Sequence, residues 1–241
     1  MDNSQDKIRN KIFFLALFGI AMGFFEAAVV IYLRQLYYPE GFSFPLKIMA
    51  LEELSIEYLR EFSAIVMLIS VAIIAGKKFY ERFSYFLLCF GIWDIFYYVW
   101  LKILLDWPQS LLTWDILFLI PVVWTGPVLA PVICALTMLV IGVSILYFQK
   151  KGYHVKINFL EWILLFFGAL IILITFLWEY SKIIIQGGFL SRIATLGTDP
   201  YFRQIIASHI PISFSWYLFM IGEGFIIIFL FLFCLRTIKS R

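Results

Sequence analysis

The stretch CFGIWDIFYYVWLKILLDWP, residues 89–108, decides the class of fold. Its side chains are almost continuously apolar or aromatic, and its twenty residues match the length of a helix that crosses a bilayer. Asp94 stands in its apolar middle, where an ionised carboxylate is energetically unfavourable. The stretch therefore predicts a membrane-spanning helix whose carboxylate has a partner or a function.

The whole chain has the composition of an integral membrane protein. Of its 241 residues, 63% are hydrophobic, 20% are aromatic and only 15% are charged, against roughly 25% charged residues in soluble domains. The net charge of +3 is small and the basic residues are spread among helix ends, so we expect no nucleic-acid partner. The first apolar run is too long for a signal-peptide core and should remain as a helix.

Six apolar runs predict an all-α bundle of six transmembrane helices. They form one polytopic membrane domain that covers residues 1–241. The predicted spans lie at about 12–36, 57–76, 82–105, 128–148, 159–184 and 211–235.

The fourth span follows an interrupted apolar segment. The run from Trp114 to Phe148 is too long for one straight span, and it contains Pro121, Gly126, Pro127 and Pro131. We interpret TWDILFLIP as a short half-helix over about 114–121, with Thr113 as its N-cap. This half-helix would lie either at the membrane interface or as a re-entrant segment covered by protein.

The distribution of Lys and Arg predicts the orientation. Twelve fall at one set of alternating helix ends: Lys7, Arg9, Lys11, Lys77, Lys78, Arg82, Lys150, Lys151, Lys156, Arg236, Lys239 and Arg241. Seven fall at the other set: Arg34, Lys47, Arg60, Lys102, Lys182, Arg192 and Arg203. Because cytoplasmic loops carry the excess of basic residues, we expect a multi-pass protein of the inner membrane with both termini in the cytoplasm.

The last outer loop contains a second kind of helix signal. In TDPYFRQIIASHIP, Thr198 or Asp199 can cap a helix that has Pro200 in its first turn. The helix would be short and amphipathic, and it would lie along the outer face of the membrane.

Three acidic residues are predicted at one depth inside the bundle. Glu26 and Asp94 each precede a basic residue at the outer end of the same helix, Arg34 and Lys102, by eight residues. Eight helical residues span about 12 Å. Glu223 lies about 16 Å into a sixth helix that enters from the outer side. Each acid costs roughly 2.5–3.5 kcal/mol at a helix centre, so we expect all three to face the bundle and to have partners.

The neighbours of these acids support a buried location. Tyr97 and Tyr98 follow Asp94 by three and four residues, so they share its helix face and can hydrogen-bond to a carboxylate. The small residues near the other two acids indicate close helix contacts: Gly23, Ala27, Ala28, Gly222 and Gly224. The acids are either protonated groups that join helices by hydrogen bonds or proton and cation sites. We favour sites, because intramembrane ionisable residues are generally functional.

A second polar layer is predicted nearer the outer surface. It consists of Arg34, Arg60, Glu61, Lys102, Asp106, Asp115, Glu179 and His209. One interpretation is an ordinary interfacial belt of aromatic and snorkelling charged residues. The other is a polar rim around a funnel that leads down to the three acids.

These features favour a binding or transport function. Buried carboxylates beneath an outward-facing polar cavity would serve as proton or cation sites. The basic residues of the rim would attract an anionic group of a small ligand or of a lipid headgroup.

Two other function classes remain open. The sequence has no phosphate-binding glycine loop, HExxH motif or serine nucleophile elbow, and we predict no cofactor. Carboxylates together with His209 are an alternative metal site, which a membrane-embedded enzyme of the outer leaflet would use. The third class is a structural subunit of a homo-oligomer or of a larger membrane complex. Membrane lipids are expected partners in each case.

Overall fold

The computed structural model describes residues 2–120, 122–189, 191 and 198–239, with side chains from Arg9 onward. Six helices are long and apolar enough to span a membrane. They are α1 (Asp2–Tyr37), α2 (Leu51–Ala75), α3 (Phe79–Leu105), α4 (Leu129–Lys150), α5 (Phe159–Gln186) and α7 (Trp216–Lys239), and a shorter α6 (Pro200–Ser208) precedes the last. The prediction of a polytopic bundle with six membrane-spanning helices is confirmed. Pro121, Arg192, Arg241 and the side chain of Lys7 lie outside the described part.

The helices alternate in direction, so their connections gather at two ends of the bundle. The α1–α2, α3–α4 and α5–α7 connections lie at one end, which we call the cavity end, and α6 belongs to the last of them. The other connections, the N-terminal end of α1 and the C-terminal end of α7 lie at the opposite end of the bundle, which we call the terminal end. There, Arg236 of α7 pairs with Glu161 of α5 at 2.8 Å, and Lys11 donates to the carbonyl oxygen of Ala75 at 2.7 Å.

Helix α2 begins six residues earlier than hydropathy predicts, at Leu51 rather than at residue 57. Its first turn is polar, which hides it from a hydropathy count. Acidic side chains are favourable at this position, because the N-terminal end of a helix carries a partial positive charge. The carboxylate of Glu53 accepts a hydrogen bond of 3.2 Å from the backbone N–H of Ala50. As a result, Glu57 and Arg60 lie in the second and third turns of the helix rather than at its start.

Small residues set the closest helix contacts. A Cβ atom added to Gly23 of α1 would lie 3.0 Å from the carbonyl oxygen of Trp93 in α3. A Cβ atom added to Gly222 of α7 would lie 2.9 Å from the carbonyl oxygen of Gly168 in α5, whereas one added to Gly224 would meet nothing within 4 Å. The helix contacts predicted at Gly23 and Gly222 are therefore present, and Gly224 faces open space. Helix α4 packs against α3 and contacts α7.

The predicted half-helix over 114–121 is wrong. Residues Trp114–Phe118 form strand β1, which pairs antiparallel with β2 (Trp124–Pro127). The segment is rich in aromatic and β-branched residues, which suit a strand, and pairing satisfies the backbone groups that a helix would have satisfied internally. Thr113 caps no helix here; its hydroxyl accepts a hydrogen bond from the N–H of Ser110 in the preceding turn.

The short helix of the last connection is present as predicted. Helix α6 has Pro200 in its first turn, and the carboxylate of Asp199 accepts hydrogen bonds from the N–H groups of Tyr201 and Phe202. Phe202 is buried, whereas Tyr201 is exposed, as expected for an amphipathic helix.

Replacing each of two glycines of α7 by alanine distinguishes the effect of close helix packing from the effect of helix propensity. Replacement of Gly222 by Ala should lower the free energy of unfolding by about 1–3 kcal/mol, because the new methyl group would press against the backbone of α5. The measurement is unfolding of the purified protein in detergent. Gly224→Ala is the matched control and should be neutral or slightly stabilising, because alanine favours a helix over glycine. Equal effects of the two substitutions would contradict this packing.

Candidate binding cavity

A cavity of about 490 Å³ opens at the cavity end of the bundle. Its walls come from α1, α2, α3, the β1–β2 hairpin, the α1–α2 connection and α6. Five carboxylates line it: Glu26, Glu57, Glu61, Asp94 and Asp115. Four basic residues line it as well: Arg34, Lys47, Arg60 and Arg203. Such a volume is in the range of small-molecule sites.

Arg34 joins α1 to the hairpin through a buried ion pair. Its Nη2 atom lies 2.9 Å from Oδ1 of Asp115 in β1, and both residues are at most 8% exposed. The guanidinium also stacks on Trp107, with its Cζ atom 3.7 Å from the ring centroid, and lies 4.7 Å from the ring of Phe42. The hydroxyl of Tyr98 is near enough to Asp115 to favour its charged form. Asp115 is therefore neutralised by a cation held between a carboxylate and aromatic rings.

Arg60 joins α2 to α1 in a similar way. Its Nη1 atom donates to the carboxylate of Glu26 in α1, and its Nε atom donates to Glu57 at 2.8 Å, one turn earlier in α2. One guanidinium therefore neutralises two carboxylates on the cavity wall. A guanidinium suits this role because its donors point in several fixed directions.

Glu61 joins α2 to the hairpin without a cation. Both of its carboxylate oxygens accept from the backbone N–H of Leu119, at 3.0 and 2.9 Å. Leu119 follows β1 directly, at the turn of the hairpin. The contact satisfies a backbone donor that has no strand partner at this point.

Asp94 differs from the other four carboxylates. It lines the cavity in a half-buried position on α3, but within the described residues it forms no hydrogen bond or ion pair. Its nearest charged neighbours include Asp115 and Glu26, whose like charges repel its own. The rings of Tyr97 and Tyr98 follow one turn later and also line the cavity. In the part of the chain that the structure describes, Asp94 is thus an acceptor that lines the cavity with no protein group to balance its charge.

The structure brings together most of the residues that the sequence singled out. Eight of the predicted site residues line the cavity: Glu26, Arg34, Arg60, Glu61, Asp94, Tyr97, Tyr98 and Asp115. The four others lie elsewhere: Glu223, Lys102, Glu179 and His209.

Glu223 occupies a separate buried position between α7 and α4. Its Oε2 atom accepts a hydrogen bond of 2.9 Å from the hydroxyl of Thr137, and the thiol of Cys134 is a second partner. Both partners belong to α4, the helix that packs against α3. Glu223 therefore does not share the cavity with Glu26 and Asp94, although it was predicted at their depth.

The other predicted rim residues form two local clusters. Lys102 is exposed and pairs with Asp106 at 2.6 Å. Glu179 accepts from Lys182 at 2.6 Å and lies 3.2 Å from Nε2 of His209. These groups fit the interfacial belt better than the funnel.

Several cavity residues were not singled out from the sequence. They are Tyr38, Lys47, Glu57, Tyr58, Trp93 and Arg203. The signal for Glu57 was its spacing of three and four residues from Arg60 and Glu61, which places all three on one face of α2. The loop residue Lys47 offers no such signal, because its position depends on how the α1–α2 connection folds over the cavity.

The hairpin carboxylate has an altered acidity. Burial raises the pKa of Asp115 to about 6, and the Arg34 charge, the N–H of Ile116 and the hydroxyl of Tyr98 limit that rise. Burial also raises the pKa of the Tyr38 phenol, whose oxygen accepts from the N–H of Lys47 at 2.7 Å. Asp115 therefore takes up a proton in milder acid than an ordinary carboxyl does.

A metal site with His209 remains a prediction. Within the described residues, no three His, Cys, Asp or Glu side chains are arranged to hold a metal ion. His209 is paired with Glu179, outside the cavity lining.

Comparisons with known proteins find no relative. No protein-family model matches the chain, and no curated protein or solved structure matches it. Function is therefore inferred from the chemistry of the cavity.

The acidity of Asp115 predicts a pH-dependent stability. Its folded-state pKa of about 6 lies above the usual value near 3.9 of an unfolded chain, so its protonation favours the folded state. This contribution is complete below about pH 4 and is lost as the pH rises through about 6. Wild type should gain up to about 3 kcal/mol over Asp115→Asn as the pH falls across that window. Unfolding of both proteins in detergent between pH 4 and 7 measures it; parallel curves would contradict the assignment.

Proposed function

We propose that this chain is an inner-membrane binding or transport protein whose cavity opens to the outer face. The cavity would take a small ligand, an ion or a lipid headgroup, and proton or cation exchange at its carboxylates would accompany binding. The observation that carries the proposal is Asp94: among the described residues it has no partner, whereas the other four acids of the cavity all have one.

The energetics of Asp94 support a function over a structural role. An unpaired carboxylate at the centre of a membrane helix costs roughly 2.5–3.5 kcal/mol, which a protein that needed only stability would avoid. Groups that must accept a proton or ligand are commonly left unsatisfied in the empty site. Asp94 therefore has the properties of a binding or proton-exchange group.

The arrangement of the mouth supports access from the cavity end. Lys47 is exposed and lines the cavity from the α1–α2 connection. Arg203 of α6 also lines the cavity and donates to the carbonyl oxygen of Met49 in the same connection. Segments that connect the long helices therefore contribute basic residues to the cavity. Its orientation toward the outside rests on the excess of Lys and Arg at the terminal end.

Substitution of Asp94 tests the binding function. Wild type, Asp94→Asn and Asp106→Asn are purified in parallel, and the small molecules and lipids that remain bound are identified by mass spectrometry. We expect a ligand in near-stoichiometric amount on wild type and its loss from Asp94→Asn. The free energy of unfolding of Asp94→Asn should be about 1–2 kcal/mol higher than that of wild type, because an unpaired charge has been removed. Asp106 is exposed, directly follows the same helix and lies outside the cavity lining, so its variant is the matched control.

The outcomes separate three function classes. Identical bound molecules on all three proteins, with no change in stability, would remove Asp94 from any site. A stoichiometric metal that is lost with Asp94 would instead favour the metal-dependent enzyme. Stable co-purification of other membrane proteins, insensitive to both substitutions, would favour a structural subunit.

Labelling of single cysteines tests the proposed orientation. The background is a variant in which Cys89, Cys134 and Cys234 are replaced by Ser. Ser43 at the cavity end and His154 at the terminal end are both exposed and accept a cysteine without loss of packing. A membrane-impermeant maleimide should label Ser43→Cys in intact cells, and His154→Cys only after the membrane is permeabilised.

A second position at the cavity end provides the control. Gln109, exposed in the α3–α4 connection, should behave like Ser43 when it is replaced by Cys. The reverse labelling pattern would place the cavity mouth in the cytoplasm and overturn the proposed outward access.

A further inference from the structure

We propose that the ligand of this cavity carries an ammonium group, which binds between the carboxylate of Asp94 and the rings of Tyr97 and Tyr98. The inference rests on the proposed binding function and names the chemical class of the ligand. It departs from the expectation that basic residues of the rim would attract an anion.

The charges of the cavity favour a cation. The buried Arg34 is committed to Asp115, and the half-buried Arg60 is committed to Glu26 and Glu57. The remaining basic residues that line the cavity lie at its mouth. An anion deep in the cavity would therefore meet five carboxylates, and the arginines that the structure describes beside them are already paired. A cation would meet Asp94, whose carboxylate forms no hydrogen bond or ion pair within the described residues.

The Arg34 site shows how this protein holds a cation. There, a carboxylate lies on one side of the guanidinium and an aromatic ring on the other, 3.7 Å from the guanidinium carbon to the ring centroid. Asp94 has the same two components, a carboxylate and adjacent tyrosine rings, but no resident cation. The tyrosine ring centroids are 4.8 Å apart at an interplanar angle of 67°, so the two rings present differently oriented faces.

The lining favours an organic cation over a metal ion. Nine aromatic residues line the cavity: Tyr37, Tyr38, Phe42, Tyr58, Trp93, Tyr97, Tyr98, Phe118 and Phe202. Inorganic cations need several oxygen ligands, whereas Glu26, Glu57, Glu61 and Asp115 are already engaged by protein donors. Aromatic rings and one carboxylate are the usual recognition chemistry of an ammonium group with an apolar body.

Probes with one apolar body and different charges test the inference. Hexylammonium, hexyltrimethylammonium, neutral hexanol and anionic hexanoate are titrated into the purified protein in detergent, and binding is followed by calorimetry. We expect the two ammonium compounds to bind wild type and hexanol and hexanoate to bind at least about tenfold more weakly. Asp94→Asn should lose the ammonium preference, Asp94→Glu should keep it, and Asp106→Asn should match wild type.

Each outcome decides the inference separately from the proposed function. Preference for hexanoate, or equal binding of the ammonium compounds to wild type and Asp94→Asn, would overturn the ammonium class. The binding function would still stand if a molecule of another class were retained by wild type and lost from Asp94→Asn. If every variant kept that retained ligand and no probe bound to wild type, both the ammonium class and the binding function would be overturned.

Binding in nanodiscs of two different lipids shows whether the ammonium group belongs to a soluble molecule or to a lipid. The amine could belong to a soluble molecule or to an aminophospholipid headgroup, since both carry the same chemistry. If the natural ligand is a headgroup, phosphatidylethanolamine should compete with hexylammonium for the site. Hexylammonium should then bind more weakly in nanodiscs of phosphatidylethanolamine than in nanodiscs of phosphatidylglycerol. Equal binding in the two lipids would assign the site to a soluble amine.

Discussion

Neutralisation of buried charge is the constraint on which the cavity end of this protein depends. Two arginines distribute their donors over three carboxylates and thereby fasten α1 to the hairpin and α2 to α1. Along its cavity-end half, α2 is joined to α1 and to the hairpin by these polar ties, whereas α1 and α3 approach closely around Gly23. The space between the polar ties and the close helix pair is the cavity itself.

The transmembrane helices were predictable because the bilayer imposes a length and an apolar composition on every span. The ends of the helices were less predictable. The first turn of α2 is polar, and it is stabilised by the partial positive charge of the helix N-terminus rather than by hydrophobicity. The hairpin could not be predicted from its own segment, since a strand depends on a partner. Trp114–Phe118 is apolar enough for a helix, and only its pairing with Trp124–Pro127 selects the extended form.

The composition of the candidate site was only partly predictable. Counting residues from the helix ends predicts Glu26 and Asp94 at comparable depth, and both residues line the cavity. The same count includes Glu223, which α4 binds instead through Thr137 and Cys134. Hydropathy gives the height of a residue within the membrane and carries no information about which helices are neighbours.

The hairpin has a consequence for how sequence variation can be tolerated. Within the described residues its sheet has only two strands, so backbone groups along its edges lack a neighbouring strand. At Leu119 the missing strand is replaced by a side chain, the carboxylate of Glu61. The amide at position 119 exists whatever side chain it bears, except proline, whereas the acceptor exists only while residue 61 can supply one. Among related sequences, position 119 should therefore accept many residue types, whereas position 61 should keep a side chain that can accept a hydrogen bond.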